Sequence, residues 1–219
     1  MALAAPAIAA PVRVFVVNPR VELRYAATYA DYRDKMFALV DASHPRRSEL
    51  VQPGVLDIAS QLQPRDPSAP PNALIVFPED IGLAAGLIGS RGEHARSITV
   101  DTGGSTAAFV DLLNAYKPQV DYYTARYPGL GGLAYLFLGA TDTYYRAFYE
   151  TFRDLAQTYR VYVAASVNAA PAHVITADAD AERVALLRDP DEAATRSYAY
   201  EAVAATPVNT LFVFAPSGR

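Results

Sequence analysis

The stretch Ala73-Leu-Ile-Val-Phe-Pro-Glu79 decides the fold, because it joins an apolar strand directly to an acidic residue. Its five consecutive apolar residues, closed by Pro78-Glu79-Asp80, are typical of a buried strand. Functional sites of α/β proteins lie at the carboxyl edges of such strands. The proline ring fixes the backbone immediately before Glu79, so the sequence predicts a carboxylate held in one direction.

Further apolar runs predict the rest of a sheet. The stronger ones are Val12–Val17, Val161–Val167 and Asn209–Phe214. Weaker strand signals lie at 133–138 and 198–203. The spacing of apolar residues predicts helices that begin after Thr28, after Ser105 or Thr106, and after Thr143. Three further helices are predicted at 49–62 (interrupted by Pro53-Gly54), 81–88 and 181–187. This alternation predicts an α/β layered fold with a mixed sheet.

Composition narrows the function classes. The chain has 219 residues, 52% of them hydrophobic, and a net charge of −4. The acidic balance argues against a nucleic-acid partner. Because cysteine is absent, this chain carries no disulfide, thiolate metal site or cysteine nucleophile. Residues 1–11 are predicted to be a leader or disordered end, and 12–219 the folded domain. No run is long enough to span a membrane, so a cytoplasmic protein is predicted, the alternative being an exported form with a truncated signal segment.

Glu79 is the first candidate for chemistry. A carboxylate that is partly desolvated at the end of a buried strand can act as a general base. The alternative is a solvated glutamate at the start of a loop, beside Asp80. Spacing alone does not decide between the two.

Four segments resemble the N-terminal part of the nitrilase, or carbon–nitrogen hydrolase, superfamily. They are VRVFVVNP (12–19), LIVFPE (74–79), RDLAQTYRVYVAASVN (153–168) and VNTLFVFAPSGR (208–219). Their order is that of the family. The stretches near 86–142 and 169–206 exceed the usual spacing and are interpreted as insertions.

The resemblance implies a four-layer α-β-β-α sandwich, of which this chain covers about the first half to two-thirds. It also implies hydrolysis of an amide or nitrile of a small molecule, by a cysteine thiolate with a glutamate base and a lysine. Glu79 matches the glutamate, and Asn209 matches a structural asparagine. The chain ends before the family's lysine and cysteine, and Lys35 and Lys117 lie in other contexts.

The sequence therefore predicts an inactive fragment or half of a split enzyme, completed by a second chain or assembled as a homo-oligomer. The alternative is a non-catalytic binding or assembly module. A weaker alternative is a kinase-like domain, because Val100–Thr106 (VDTGGST) resembles the phosphate-binding turn of actin-like sugar kinases. The ordinary interpretation of that turn is a glycine turn with a Ser/Thr helix cap.

The remaining signals concern metals and tyrosines. His44, His94 and His173 lack ligand-like spacing, so neither a metal nor another cofactor is predicted. Tyr122, Tyr123 and Tyr127 are interpreted as loop residues. They are candidates for substrate binding at a pocket mouth, with core packing and a subunit contact as the alternatives.

Overall fold

The computed structural model describes residues 11–20, 22–62, 72–102, 105–192 and 196–218, with the backbone alone at 100–102 and 105. Most of the predicted leader, most of the proline-rich loop before Ala73, the Gly103-Gly104 pair and Arg219 lie outside these residues.

The described residues form six strands in two sheets. The strands are β1 (Arg13–Val16), β2 (Ala73–Val76), β3 (Tyr162–Ala169), β4 (Ala172–Thr176), β5 (Tyr198–Ala202) and β6 (Val208–Phe214). The larger sheet has the order β1-β2-β3-β6, and β4 pairs with β5 in the smaller sheet. The β1–β2 and β2–β3 pairs are parallel, whereas β3–β6 is antiparallel. The prediction of an α/β fold with a mixed sheet is confirmed.

Helices occupy most of the sequence between the strands. They are α1 (Tyr29–Val40), α2 (Arg47–Leu50), α3 (Ile58–Gln61), α4 (Gly89–Thr102), α5 (Ser105–Ala115), α6 (Lys117–Arg126), α7 (Gly132–Gly139), α8 (Thr141–Tyr144), α9 (Glu150–Tyr159) and α10 (Ala177–Leu187). A π-helical segment, Tyr145–Tyr149, joins α8 to α9, and Leu83–Leu87 is a short 3-10 helix. Within the described ranges, no helix combines the length and apolar character needed to cross a bilayer.

Thr28 caps α1 as predicted. Its hydroxyl accepts a hydrogen bond from the Asp31 amide at 3.0 Å, which satisfies one of the free N–H groups at the start of the helix. The apolar stripe of α1, including Tyr32, Met36 and Phe37, is buried in the main core.

The two faces of the larger sheet differ in cover. On one face α9 contacts β3 and β6, and α1 contacts α9. Ile75, Val163 and Phe214 are buried there. On the opposite face the alternate residues of the two edge strands, β1 and β6, include exposed apolar side chains: Val14, Val16, Leu211 and Val213 are 56%, 76%, 64% and 59% exposed. We call these four residues, with Leu74 and Val76 between them, the open sheet face.

Four secondary-structure predictions are wrong. Residues 133–138 lie in helix α7 rather than in a strand. Thr143 does not cap a helix: it lies inside α8, and its hydroxyl donates to Asp189 Oδ2 at 2.8 Å. Tyr122 and Tyr123 lie in α6 rather than in a loop. The predicted helix over 49–62 is two single turns, α2 and α3.

A buried ion pair joins the smaller sheet to the helical run 141–159. Arg146 Nε donates to Asp142 Oδ2 at 2.7 Å, and both side chains are at most 2% exposed. The Asp142 carboxylate also accepts the backbone N–H groups of Asp189 at 2.7 Å and Tyr200 at 2.8 Å. Arg146 donates further to the Tyr198 carbonyl oxygen at 2.5 Å. This pair therefore ties the helical run 141–159 to β5 and to the loop after α10.

Candidate functional site

Glu79 lies where the sequence places it, two residues beyond Phe77 at the carboxyl edge of the larger sheet. The Phe77 amide still bonds to the Ala164 carbonyl oxygen of β3 at 2.8 Å, and the chain then leaves the sheet. Asn209 Nδ2 donates to Glu79 Oε1 at 2.5 Å. Asn209 faces Asn168 in the β3–β6 register, so β3 and β6 extend past the end of β2 and bring the amide to the carboxylate.

The turn after Glu79 is fixed by polar contacts with β3. Asp80 adopts a left-handed backbone, with φ of 60°. Its amide donates to Ser166 Oγ at 2.9 Å, and its carboxylate accepts from Asn168 Nδ2 at 3.0 Å. At Gly82, an added Cβ would lie 2.5 Å from Val167 Cβ, so only glycine allows this close approach. The turn is therefore seated across the end of β3.

The hydrogen bond from Asn209 fixes one oxygen of the Glu79 carboxylate. Glu79 is exposed, so the described residues do not supply the desolvation predicted for it. Asn209 was predicted to be structural, and in the structure its side chain contacts Glu79 directly. The sequence signal for this contact is that Asn168 and Asn209 each lie near one end of an apolar strand, and the two strands pair.

The two lysines are engaged in other contacts. Lys35 is buried in α1, where its Nζ donates to the Leu50 carbonyl oxygen and lies 4.1 Å from the Tyr25 ring centre. Burial lowers the pKa of Lys35. Lys117 pairs with Asp121 on α6 at 2.7 Å. Neither contact brings an amine to Glu79.

The three candidate tyrosines contact the small sheet. Tyr123 is buried, and its hydroxyl accepts the Ala202 amide hydrogen at 2.9 Å. The Tyr127 hydroxyl donates to the Ala202 carbonyl oxygen at 3.4 Å. The Tyr122 hydroxyl donates to Glu201 Oε1 at 2.5 Å. Of the three alternatives, these contacts favour packing of α6 against β5.

Glu201 is a buried carboxylate that the sequence analysis missed. Besides Tyr122, it contacts Arg126 NH1 at 2.6 Å, His173 Nε2 at 2.9 Å and Arg183 NH1 at 3.3 Å. Burial disfavours its ionised form, but the hydrogen bonds from Tyr122 and His173 and the two arginine charges outweigh burial. The pKa of Glu201 is therefore lowered from its ordinary value of 4.5.

Substitution of Glu201 should change the pH dependence of stability. A lowered folded-state pKa means that the contribution of the carboxylate is complete above pH 4.5 and is lost as the pH falls through the folded value. We expect Glu201→Gln to lower the Tm at pH 7, and the difference from wild type to shrink below pH 4.5. Thermal unfolding at steps between pH 5.5 and 3 measures this difference.

The control is Glu93→Gln, which removes an exposed carboxylate on α4. Its Tm should follow that of the wild type at every pH. A Tm difference for Glu201→Gln that stays constant down to pH 3 would contradict the assignment.

The segment of the kinase-like alternative has a helical context. Asp101 lies in the last turn of helix α4 and Ser105 begins α5, whereas a phosphate-binding turn of that kind follows a strand that ends at the aspartate. Among the described residues, no group of three or more His, Asp or Glu side chains is arranged to hold a metal ion.

Comparisons with protein-family models, with curated proteins and with solved structures find no match for this chain. The fold and the contacts around Glu79 are therefore the basis of the functional argument.

Proposed function

We propose that this chain supplies the glutamate-bearing part of a nitrilase-like hydrolase, which cleaves a carbon–nitrogen bond in an amide or nitrile of a small molecule. The observation that carries the proposal is the Glu79–Asn209 contact at the carboxyl edge of the larger sheet. It unites two of the four segments that resemble the family, 74–79 and 208–219. It also gives the carboxylate the fixed direction that a proton-transfer residue needs.

The open sheet face is evidence for the proposal that a second sheet packs on the larger sheet. Burial of a valine or leucine side chain is worth about 1.5–3 kcal/mol, so an apolar face with Val16 and Leu211 exposed gains by being covered. In the proposed α-β-β-α sandwich a second sheet covers it. That sheet comes from polypeptide outside these 219 residues or from another chain, which is either a partner or a second copy.

In the proposed reaction on an amide, Glu79 takes the proton of the attacking thiol and gives it to the leaving nitrogen as the C–N bond breaks and a thioester forms. With a nitrile, the same proton goes to the nitrile nitrogen as the thiol adds, and attack of water on this adduct then releases ammonia and leaves the same thioester. A water molecule that gives its proton to Glu79 then cleaves the thioester, which releases the acid, and the proton returns to the thiolate. Asn209 keeps one carboxylate oxygen in place. The thiol and the lysine that stabilises the tetrahedral intermediate must come from outside these 219 residues, because cysteine is absent and both lysines have other contacts.

The test is to isolate the protein from its own cells, measure its native mass and assay short amides and nitriles. We expect an assembly heavier than 23.6 kDa that contains a cysteine and hydrolyses one of these classes. The purified 219-residue chain should show no turnover above buffer. Equal turnover by the isolated chain would contradict the proposal, because such activity could not use a cysteine.

The second candidate is a non-catalytic assembly module, which the open sheet face favours by itself. It predicts the same heavier assembly without hydrolysis of any amide or nitrile. The assay on the native assembly therefore separates the two functions.

A further inference from the structure

A cavity of about 260 Å³ lies among the helices of the 86–142 region. Its walls come from the 3-10 helix 83–87 and from α4, α5, α7 and α8. The larger wall residues are Leu83, Leu87, Phe109, Leu112, Leu136 and Phe137. None of the described residues that line it carries a formal charge. A charged ligand would lose its hydration there without gaining a partner.

Two residues of the wall carry hydroxyl groups. The Thr99 hydroxyl donates to the Ala95 carbonyl oxygen at 2.8 Å. Tyr144 also lines the cavity and is 3% exposed. The Tyr144 hydroxyl oxygen would lie 2.6 Å from a Cβ on Gly86, which is itself a wall residue. Burial, with Tyr116 and Asp80 nearby, raises the pKa of Tyr144 well above its usual range, so the hydroxyl stays a donor.

The size of the cavity selects a small molecule. An apolar cavity of about 150 Å³ lined by aliphatic and aromatic side chains is enough to bind benzene. A volume of about 260 Å³ therefore accommodates one ring with a short substituent.

We propose that this cavity is a binding site for a neutral, ring-sized apolar molecule with one hydrogen-bond acceptor, which the Tyr144 hydroxyl recognises. The site is distinct from Glu79 and does not depend on the proposed hydrolase activity. The Leu83 amide donates to the Asp80 carbonyl oxygen at 2.8 Å, so the cavity wall begins within one turn of the Glu79–Asp80 segment.

The test compares three ligands by calorimetric titration of the purified chain. Acetophenone offers a ring and one acceptor oxygen, ethylbenzene has the same ring and two-carbon chain without an acceptor, and benzoate carries a charge. We expect acetophenone to bind about three- to tenfold more tightly than ethylbenzene, and benzoate not to bind. Tyr144→Phe should remove the preference for acetophenone while ethylbenzene still binds.

Two alanines of α5 provide a matched pair of variants. Ala108 is buried and lines the cavity, whereas Ala107 is exposed on the same helix. Ala108→Leu should weaken both ligands by about tenfold or more by filling the space, and Ala107→Leu should leave both affinities within about twofold. If Ala108→Leu does not fold, the titrations of the wild-type protein and of Tyr144→Phe still test the proposed site.

Any of three results would overturn the proposal. They are no binding of acetophenone and ethylbenzene to the wild-type protein, unchanged binding in a folded Ala108→Leu, and a Tyr144→Phe variant that keeps the full preference for acetophenone.

Discussion

In the proposed hydrolase, Glu79→Gln should reduce turnover of an amide or nitrile by about 10²- to 10⁴-fold, the usual contribution of a general base. Glutamine has nearly the same shape and can still contact Asn209, but it cannot take a proton from a thiol. KM should change little, because the loss falls on a step after binding. Steady-state kinetics of the purified assembly, with its native mass unchanged, measure this effect.

The matched control for Glu79 is Glu93→Gln, the same chemical change at an exposed glutamate of helix α4. We expect its turnover to stay within about twofold of wild type, as for surface substitutions away from a site. Turnover of Glu79→Gln within threefold of wild type, in an assembly of unchanged mass, would remove Glu79 from the mechanism.

Arg146→Met should be the most destabilising substitution that the described contacts suggest. Removing Arg146 leaves the buried Asp142 carboxylate with no cation and only the backbone N–H groups of Asp189 and Tyr200. Loss of one partner of a buried ion pair costs about 3–5 kcal/mol in the free energy of unfolding. Chemical denaturation of wild type and variant measures the difference. A double variant, Asp142→Leu with Arg146→Met, should cost less than the sum of the two single changes, because it leaves no uncompensated charge.

The exposed pair Lys117–Asp121 is a natural control for this effect. It has the same four-residue helical spacing as Asp142–Arg146, but its side chains are 65% and 60% exposed. Lys117→Met should change the free energy of unfolding by about 0.5 kcal/mol or less. Similar losses for Arg146→Met and Lys117→Met would show that burial does not set the cost of the Arg146 change.

The elements that the sequence predicts well are those with local signals. The apolar runs of β1, β2 and β6 end at turn residues, and Thr28 supplies both the cap and the boundary of α1. The run 133–138 has no such local signal, because a short apolar run is compatible with either a strand or a buried helix. Helix α4 was missed because it contains Gly89 and Gly92 and no strong apolar stripe.

The position of Glu79 was predictable, whereas its surroundings were not. LIVFPE predicts a carboxylate at a strand end, but the contact with Asn209 joins residues far apart in the chain. The same holds for Glu201, whose partners Tyr122, Arg126, His173 and Arg183 come from three separate elements. One sequence shows residue types and local spacing, and such pairings depend on the tertiary fold.

The strand order of the larger sheet also bears on how the chain reaches its fold. Val14 pairs with Leu74 and Leu74 pairs with Tyr162. Neighbouring strands are therefore roughly 60 and 90 residues apart in sequence, and closing such long loops slows folding. Helices α4 with α5, and α6 with α7, make contacts between close neighbours in the chain. During synthesis these helix pairs can form while β2 still lacks its partner β3, so the sheet that leads to Glu79 is completed late.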